Sequence, residues 1–276
     1  MIQNNRKIIN AWAFYDWANS VYPLVIISTI FPVYYNTITS VGNSDVVEFF
    51  GVNYKNSSLY AYALSLSFLI MSLISPFLSG IADYTGRKKL FMQIFCYLGA
   101  ASCSAMYFFD SGSIELGIVL VILATIGYSG SLVFYNAYLP EIATSNKHDR
   151  VSAYGFAMGY IGSSILLIFC LTFFKYPDVY GMTEPDTPAR ITFLLVGIWW
   201  VVFSQVTFFT LPKQDFIRFA SNRIFTKGYY EIKKVWTELK KSTVLKRYLV
   251  AFLVFEMGIQ TVMYLATLFG AKELKM

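Results

Sequence analysis

The apolar residues of this chain gather into seven long runs, at about 11–37, 58–82, 90–109, 115–140, 151–174, 191–211 and 248–270, which few charges interrupt. Each run is close to the ~20 residues that a helix needs to cross ~30 Å of hydrocarbon. In that solvent every backbone N–H and C=O must pair internally, so only helices or a closed barrel can span it. The short alternating segments of a barrel are absent, which leaves helices. Composition agrees, with 56% hydrophobic and 14% charged residues, against about 25% charged in a typical soluble domain. The expected class is all-α integral membrane. The first run is long enough to tilt, and Pro23 and Pro32 predict a kink in it. Arg6 and Lys7 precede that run as in a signal peptide, but Asp16 interrupts it and it outlasts an apolar signal core, so it reads as a retained helix.

Charge sets the expected orientation. The N-terminal segment, the second-to-third turn, the fourth-to-fifth turn and the loop over 212–247 hold 17 Lys and Arg, whereas the opposite loops hold only Lys55, Lys175 and Arg190. The basic side is therefore expected in the cytoplasm, with the N-terminus inside. Three units follow: a six-helix bundle over 1–211, a basic cytoplasmic loop over 212–247, and a seventh span within 248–276 that begins an incomplete second bundle. In the loop, Ile232, Val235, Trp236 and Leu239 share one helical face while Lys233, Lys234, Lys240 and Lys241 fall mostly off it, predicting a helix along the membrane surface.

Other classes are poorly served. The formal net charge of +6 forms no basic face with a readable nucleic-acid motif. Cys96, Cys103 and Cys170 lie inside apolar runs without metal spacing, so neither a disulfide framework, a metal site nor a cofactor is expected. No nucleotide-binding loop occurs. One histidine, His148, and no paired carboxylates at an interface argue against an enzyme. A seven-span receptor would place its N-terminus outside, and no lysine precedes Lys272 in the last span to hold a retinal.

The sharpest local pattern is Gly80-Ile81-Ala82-Asp83-Tyr84-Thr85-Gly86-Arg87-Lys88-Lys89, a tight basic turn between two spans. Its Asp-x-x-Gly-Arg-Lys core resembles the signature loop of the major facilitator superfamily. Further segments are similar to the vacuole-effluxer-like branch of that superfamily, which includes vacuolar amino-acid effluxers linked to autophagy and many bacterial members. They are Tyr15-Asp16-Trp17-Ala18-Asn19-Ser20, Phe134-Tyr135-Asn136-Ala137-Tyr138-Leu139-Pro140-Glu141, Arg150-Val151-Ser152-Ala153-Tyr154-Gly155, Gly159-Tyr160-Ile161-Gly162 and Gly258-Ile259-Gln260-Thr261-Val262. The resemblance implies a secondary transporter of twelve helices in two bundles of 3+3 inverted repeats. This chain would supply the N-terminal six-helix bundle and the first helix of the second, as a truncated product or fragment. The implied substrate is a small polar metabolite, with amino acids leading, protons as coupling ion, and alternating access in a bacterial inner membrane. The alternative is a non-transporting remnant, or a half-transporter completed by a partner chain. By the same resemblance Asp83, Gly86, Arg87 and Lys88 form a gating loop, from which Ser79 departs where the family usually has Gly.

Several residues are site candidates. Asp16, Asn19 and Ser20 share one face of the first span. An unpaired charge there costs at least ~2.5–3.5 kcal/mol at the bilayer centre, so Asp16 needs a cavity or a partner. Two readings stay open: a carboxylate that binds a substrate ammonium or a proton, and a structural pair, with Arg150 as one possible partner. Tyr135 and Asn136 on the fourth span are substrate or packing candidates, and Glu141 is a cytoplasmic gate or cap residue. Glu256 and Gln260 share a face of the seventh span. Gly155, Gly159 and Gly162 form a small-residue stripe for close helix packing. The five tryptophans, mostly near span ends, are expected as interfacial anchors.

Overall fold

The computed structural model describes residues 3–40, 45–212, 237 and 240–273, without the side chains of Asp83, Tyr84, Glu256, Gln260, Thr261 and those beyond Val262. Among the described residues six stretches are long and apolar enough to cross a membrane. The first is α1 (Arg6–Asn19), a π-helical segment (Tyr22–Ile30) and α2 (Phe31–Thr39). The others are α3 (Asn56–Thr85), α4 (Lys88–Ala105, prolonged by a 3-10 turn to Phe108), α5 (Ile114–Ile142), α6 (His148–Lys175) and α7 (Thr187–Thr210). The run expected at 248–270 lies within a further helix, α8 (Thr243–Glu273), which packs against the π segment and α2. The surface helix expected around Ile232–Leu239 falls outside the described residues.

Most of the helices overrun the apolar runs at both ends, and α4 and α7 at their N-terminal ends, because the ladder continues into the interfacial layer, where polar caps replace lipid. Asn56 shows how an end is tied down: its side-chain amide donates to Thr39 Oγ1 at 2.9 Å, and its side-chain oxygen accepts from the Ser57 N–H. At the other end of α3, Gly86 closes the helix with φ +65°, a left-handed conformation that glycine adopts without strain. One element was not foreseen. Strands β1 (Val46–Phe49) and β2 (Val52–Lys55) form an antiparallel hairpin whose turn residues, Phe50 and Gly51, both have positive φ, as a two-residue type I′ turn requires.

Helix packing has an internal symmetry. The first span packs on α6 and α7, α5 packs on α3 and α4, and α4 also packs on α7. Numbering the spans one to six, the contacts 1–5 and 4–2 exchange under the mapping one to four, two to five and three to six. So do 1–6 and 4–3, while 3–6 maps onto itself. Two three-helix units therefore make equivalent contacts, as expected for the N-terminal bundle of the major facilitator fold. The core runs along the shared axis. Phe31, Tyr35, Tyr60, Phe109 and Phe193 are fully buried at the end away from Arg6, with ring centroids of Phe31 to its four neighbours between 5.4 and 6.1 Å.

Two expectations are corrected. Trp12 and Trp200 are not interfacial anchors but core residues, at 1% and 0% exposure. Trp12 stacks on Tyr135, and Trp200 lies over Gly99, where the missing side chain makes room for the indole. The kink expected from Pro23 and Pro32 takes the form of the π segment, with Pro23 in its first turn. A proline lacks the N–H of a regular ladder and clashes with the preceding turn, and the wider π ladder accommodates that locally.

Candidate functional site

Asp16, in the last turn of α1, is 6% exposed. Its carboxylate Oδ2 accepts a hydrogen bond of 2.7 Å from the Tyr135 hydroxyl on α5. Trp12, one turn earlier, lies flat on the Tyr135 ring at a centroid separation of 4.2 Å and 8°. Its indole N–H also donates to the Tyr135 backbone carbonyl at 2.9 Å. The ring and the backbone of Tyr135 are thus both held by Trp12, which fixes the phenol toward the carboxylate.

The third wall is α6. Its buried positions Val151, Gly155, Gly159, Gly162, Ser163 and Leu166 follow helical spacing and present a flat strip to α1. A methyl group on Gly155 would sit 2.6 Å from Asp16 Oδ2 and 2.8 Å from the Tyr135 oxygen. On Gly159 it would lie 3.3 Å from Asp16 Cβ and collide with the Ser20 hydroxyl, and on Gly162 it would lie 2.8 Å from Trp17 Cδ2. The glycine stripe is therefore the seam that lets α6 close over the polar face of α1.

Asn19 completes that face. It is fully buried and, among the described residues, its side-chain N–H₂ has no acceptor, while its oxygen is 3.4 Å from the Ser20 hydroxyl. Among the described residues Asp16 has no cationic partner. Arg150, one of the partners considered from sequence, is exposed. The chemistry available is that of a dehydrated carboxylate with one neutral hydroxyl donor and a spare amide donor nearby. Such a group is stabilised by taking up a proton or by meeting a ligand's ammonium.

The remaining candidates lie apart from this cluster. Asn136 is exposed, on a different side of α5 from its neighbour Tyr135. Glu141, expected as a gate or cap residue, pairs with Lys88 at 2.7 Å, with side chains 24% and 13% exposed. The neighbouring Lys89 ammonium donates to the Leu211 carbonyl at the end of α7, also at 2.7 Å. The first turn of α4 therefore holds the ends of both α5 and α7, and Gly86 provides the reversal that brings these lysines back to the bundle. Arg87 is exposed, and the Asp83, Glu256 and Gln260 side chains lie outside the described residues. Sequence reading missed Lys89 and Trp12 as holding residues; the i, i+4 spacing of Trp12 and Asp16 on one polar face was the available signal.

A bundle of two equivalent three-helix units, with a buried carboxylate on the first span and a lysine clamp at the second-to-third turn, defines the N-terminal half of a major facilitator transporter fold. The model of the family described as vacuole effluxer Atg22 like matches residues 4–276, and the chain belongs to that family. It is 27% identical over 273 residues to the uncharacterized MFS-type transporter YxiO of Bacillus subtilis, covering 98% of this chain and 62% of that protein. To autophagy-related protein 22-1 of Aspergillus clavatus it is 24% identical over 307 residues, covering 84% of this chain and 50% of the relative. The chain thus spans about half to three-fifths of the length of these relatives. No solved structure matches it.

Proposed function

We propose that the chain forms the first bundle of a secondary transporter that exports small amino acids in exchange for protons by alternating access. The observation that carries this reading is the Asp16 carboxylate, buried against the Tyr135 hydroxyl with no cation beside it among the described residues. A carboxylate that alternates between a sealed, dry position and water is a natural proton carrier, since it holds the proton when sealed and releases it when wet. Asn19, buried beside Asp16 with a spare amide donor among the described residues, supplies a neutral group suited to a zwitterion's carboxylate. The names of the fungal relatives, autophagy-related proteins, and of the family, vacuole effluxers, support export of a degradation product. The imbalance of basic residues supports an N-terminus in the cytoplasm. Residues 1–211, 212–247 and 248–276 then serve as first bundle, connecting loop and start of a second bundle.

The test is counterflow in proteoliposomes carrying the chain, with labelled leucine outside, unlabelled leucine inside and a pH-sensitive dye in the lumen. Saturable uptake accompanied by a lumenal pH change is expected, and Asp16→Asn keeps exchange but loses its pH dependence. Unchanged pH dependence in that variant removes Asp16 from proton coupling. Absence of counterflow for leucine and other zwitterionic amino acids removes the substrate class for the chain acting alone.

A second reading, a half-transporter that assembles with another chain, is favoured by one observation. Large apolar side chains of α3 and α6, among them Tyr62, Leu69, Leu73, Phe156, Tyr160 and Ile168, are exposed. Cross-linking from cysteines placed at Leu73 and Tyr160 distinguishes it: adducts to a second polypeptide support assembly, and adducts to lipid alone refute it.

A further inference from the structure

A groove of about 530 Å³ opens on the outside of the bundle between α1 and α7, away from Asp16. Its wall on α1 changes character with depth. Arg6 and Lys7 stand at the mouth, Asn10 and Ala11 one turn further, and Phe14 a turn beyond that. On α7, Thr210 lies at the level of the mouth and Val206 one turn deeper. Along one helix, 1.5 Å per residue separates Arg6 from Phe14 by about 12 Å. That is the distance from the phosphate layer of a leaflet into the upper acyl chains. The floor is fixed, because the Thr207 hydroxyl donates to the Ala11 carbonyl at 2.7 Å and the Phe14 ring is braced by Trp17 and Phe203 at 5.8 and 6.0 Å.

We propose that this groove is a binding site for an anionic phospholipid of the leaflet that meets the N-terminal end of α1. The phosphodiester sits between the Arg6 guanidinium and the Lys7 ammonium, the Asn10 amide meets the glycerol ester region, and one acyl chain runs over Ala11 between Phe14 and Val206. Charge complementarity carries the choice of occupant. Both cations are exposed, no acidic side chain lines the groove among the described residues, and none lies in the first turn of α1. The N-terminal end of the helix dipole adds positive potential at the same place, although the Lys7 N–H itself is capped by the Asn5 side chain at 3.0 Å. A zwitterionic lipid brings a cation of its own against Arg6 and Lys7, and a soluble phosphate leaves the apolar half of the groove unfilled. Basic pockets between spans at the membrane surface are suited to anionic headgroups for these reasons.

The test uses the 276-residue chain, purified in mild detergent with equal amounts of phosphatidylglycerol and phosphatidylcholine of matched chains, and native mass spectrometry of the lipid adducts. One retained phosphatidylglycerol is expected. Arg6→Gln with Lys7→Gln reduces that preference about twenty-five-fold, at roughly a factor of five per cation. Lys246→Gln with Arg247→Gln removes the same charge from another exposed pair and leaves the preference intact. Val206→Trp, at an exposed position, fills the apolar half and lowers retention without changing charge. Equal retention of the two lipids by the wild-type chain overturns the proposal, as does equal loss in the two charge variants. Displacement of the lipid by millimolar glycerol phosphate, or full retention in the Val206→Trp variant, shows an anion site without an acyl groove and overturns it as well.

Discussion

Replacing Gly155 with alanine tests the seam over Asp16 more directly than removing Asp16 itself. The added methyl falls 2.6 Å from the Asp16 oxygen and 2.8 Å from the Tyr135 oxygen, both far inside van der Waals contact. Either α6 lifts off α1, or the Tyr135 to Asp16 hydrogen bond of 2.7 Å breaks. Overpacking of this kind costs about 1–3 kcal/mol. Tyr135→Phe alone removes the hydrogen bond, which costs about 0.6 to 1.7 kcal/mol within a membrane bundle. The two substitutions are coupled, since losing the hydroxyl removes one of the two collisions. The double variant should therefore fall short of the sum of the singles by at least about 0.5 kcal/mol. Gly258→Ala is the control, because among the described residues nothing lies within 4 Å of a methyl there and alanine gains helix propensity over glycine by up to about 1 kcal/mol. Unfolding in a titration of denaturing against mild detergent measures all four variants. A Gly155→Ala protein within about 0.5 kcal/mol of wild type, or strict additivity with Tyr135→Phe, would refute the close seam.

Other outcomes follow from the same contacts. Trp12→Phe should destabilise more than Trp200→Phe, by about 1 kcal/mol, because the Trp12 indole N–H is bonded to the Tyr135 carbonyl whereas that of Trp200 has no acceptor among the described residues; thermal unfolding of the two variants compares them. Glu141→Gln should lower stability by about 1–2 kcal/mol, a partly exposed pair being worth less than a sealed one, and Glu141→Gln should add nothing in a Lys88→Gln background when thermal unfolding compares them. Cys96, Cys103 and Cys170 are fully buried, so maleimide should label none of them in the folded chain and all three after unfolding in dodecyl sulfate. Labelling of any one in the folded chain would show a bundle looser than described.

The spans were legible because apolar length is the one property that lipid demands and loops lack. The lysine clamp was legible in outline, through the turn that carries Gly86 to Lys89, but its partners were not. Glu141 is 53 residues from Lys88, and no spacing in the sequence links the two. The same holds at Asp16, where Tyr135 is 119 residues away and only the packing of α1 on α5 selects it. Trp12 and Trp200 were misread because position along a span predicts depth, not which face points inward. The hairpin escaped because four-residue strands give too little alternation, although Gly51 between two β-branched and aromatic runs was a usable signal.

The three helices packed on the first span are not equally firmly held, and the difference says which of them opens toward Asp16. Between the first span and α5 there are directional bonds: Trp12 to the Tyr135 carbonyl, Tyr135 to Asp16, and the Tyr22 hydroxyl with Thr125 at 2.7 Å. Between α1 and α7 there are two more, Thr207 to the Ala11 carbonyl and Trp199 to the Trp17 carbonyl at 3.1 Å. Between α1 and α6, among the described residues, no side-chain hydrogen bond or ion pair is formed, and the contact is van der Waals packing over glycines. Separating that seam breaks no polar pair, and it exposes a carboxylate, a spare amide and the Ser20 hydroxyl to whatever fills the gap. Moving α5 or α7 instead would strand buried donors and acceptors at about 1–3 kcal/mol each. Access to Asp16 is thus expected by displacement of α6, and a cross-link between Gly159→Cys and Ser20→Cys should abolish labelling of an Asp16→Cys reporter by a small maleimide. Labelling that persists with the seam locked would place the entrance at one of the hydrogen-bonded walls.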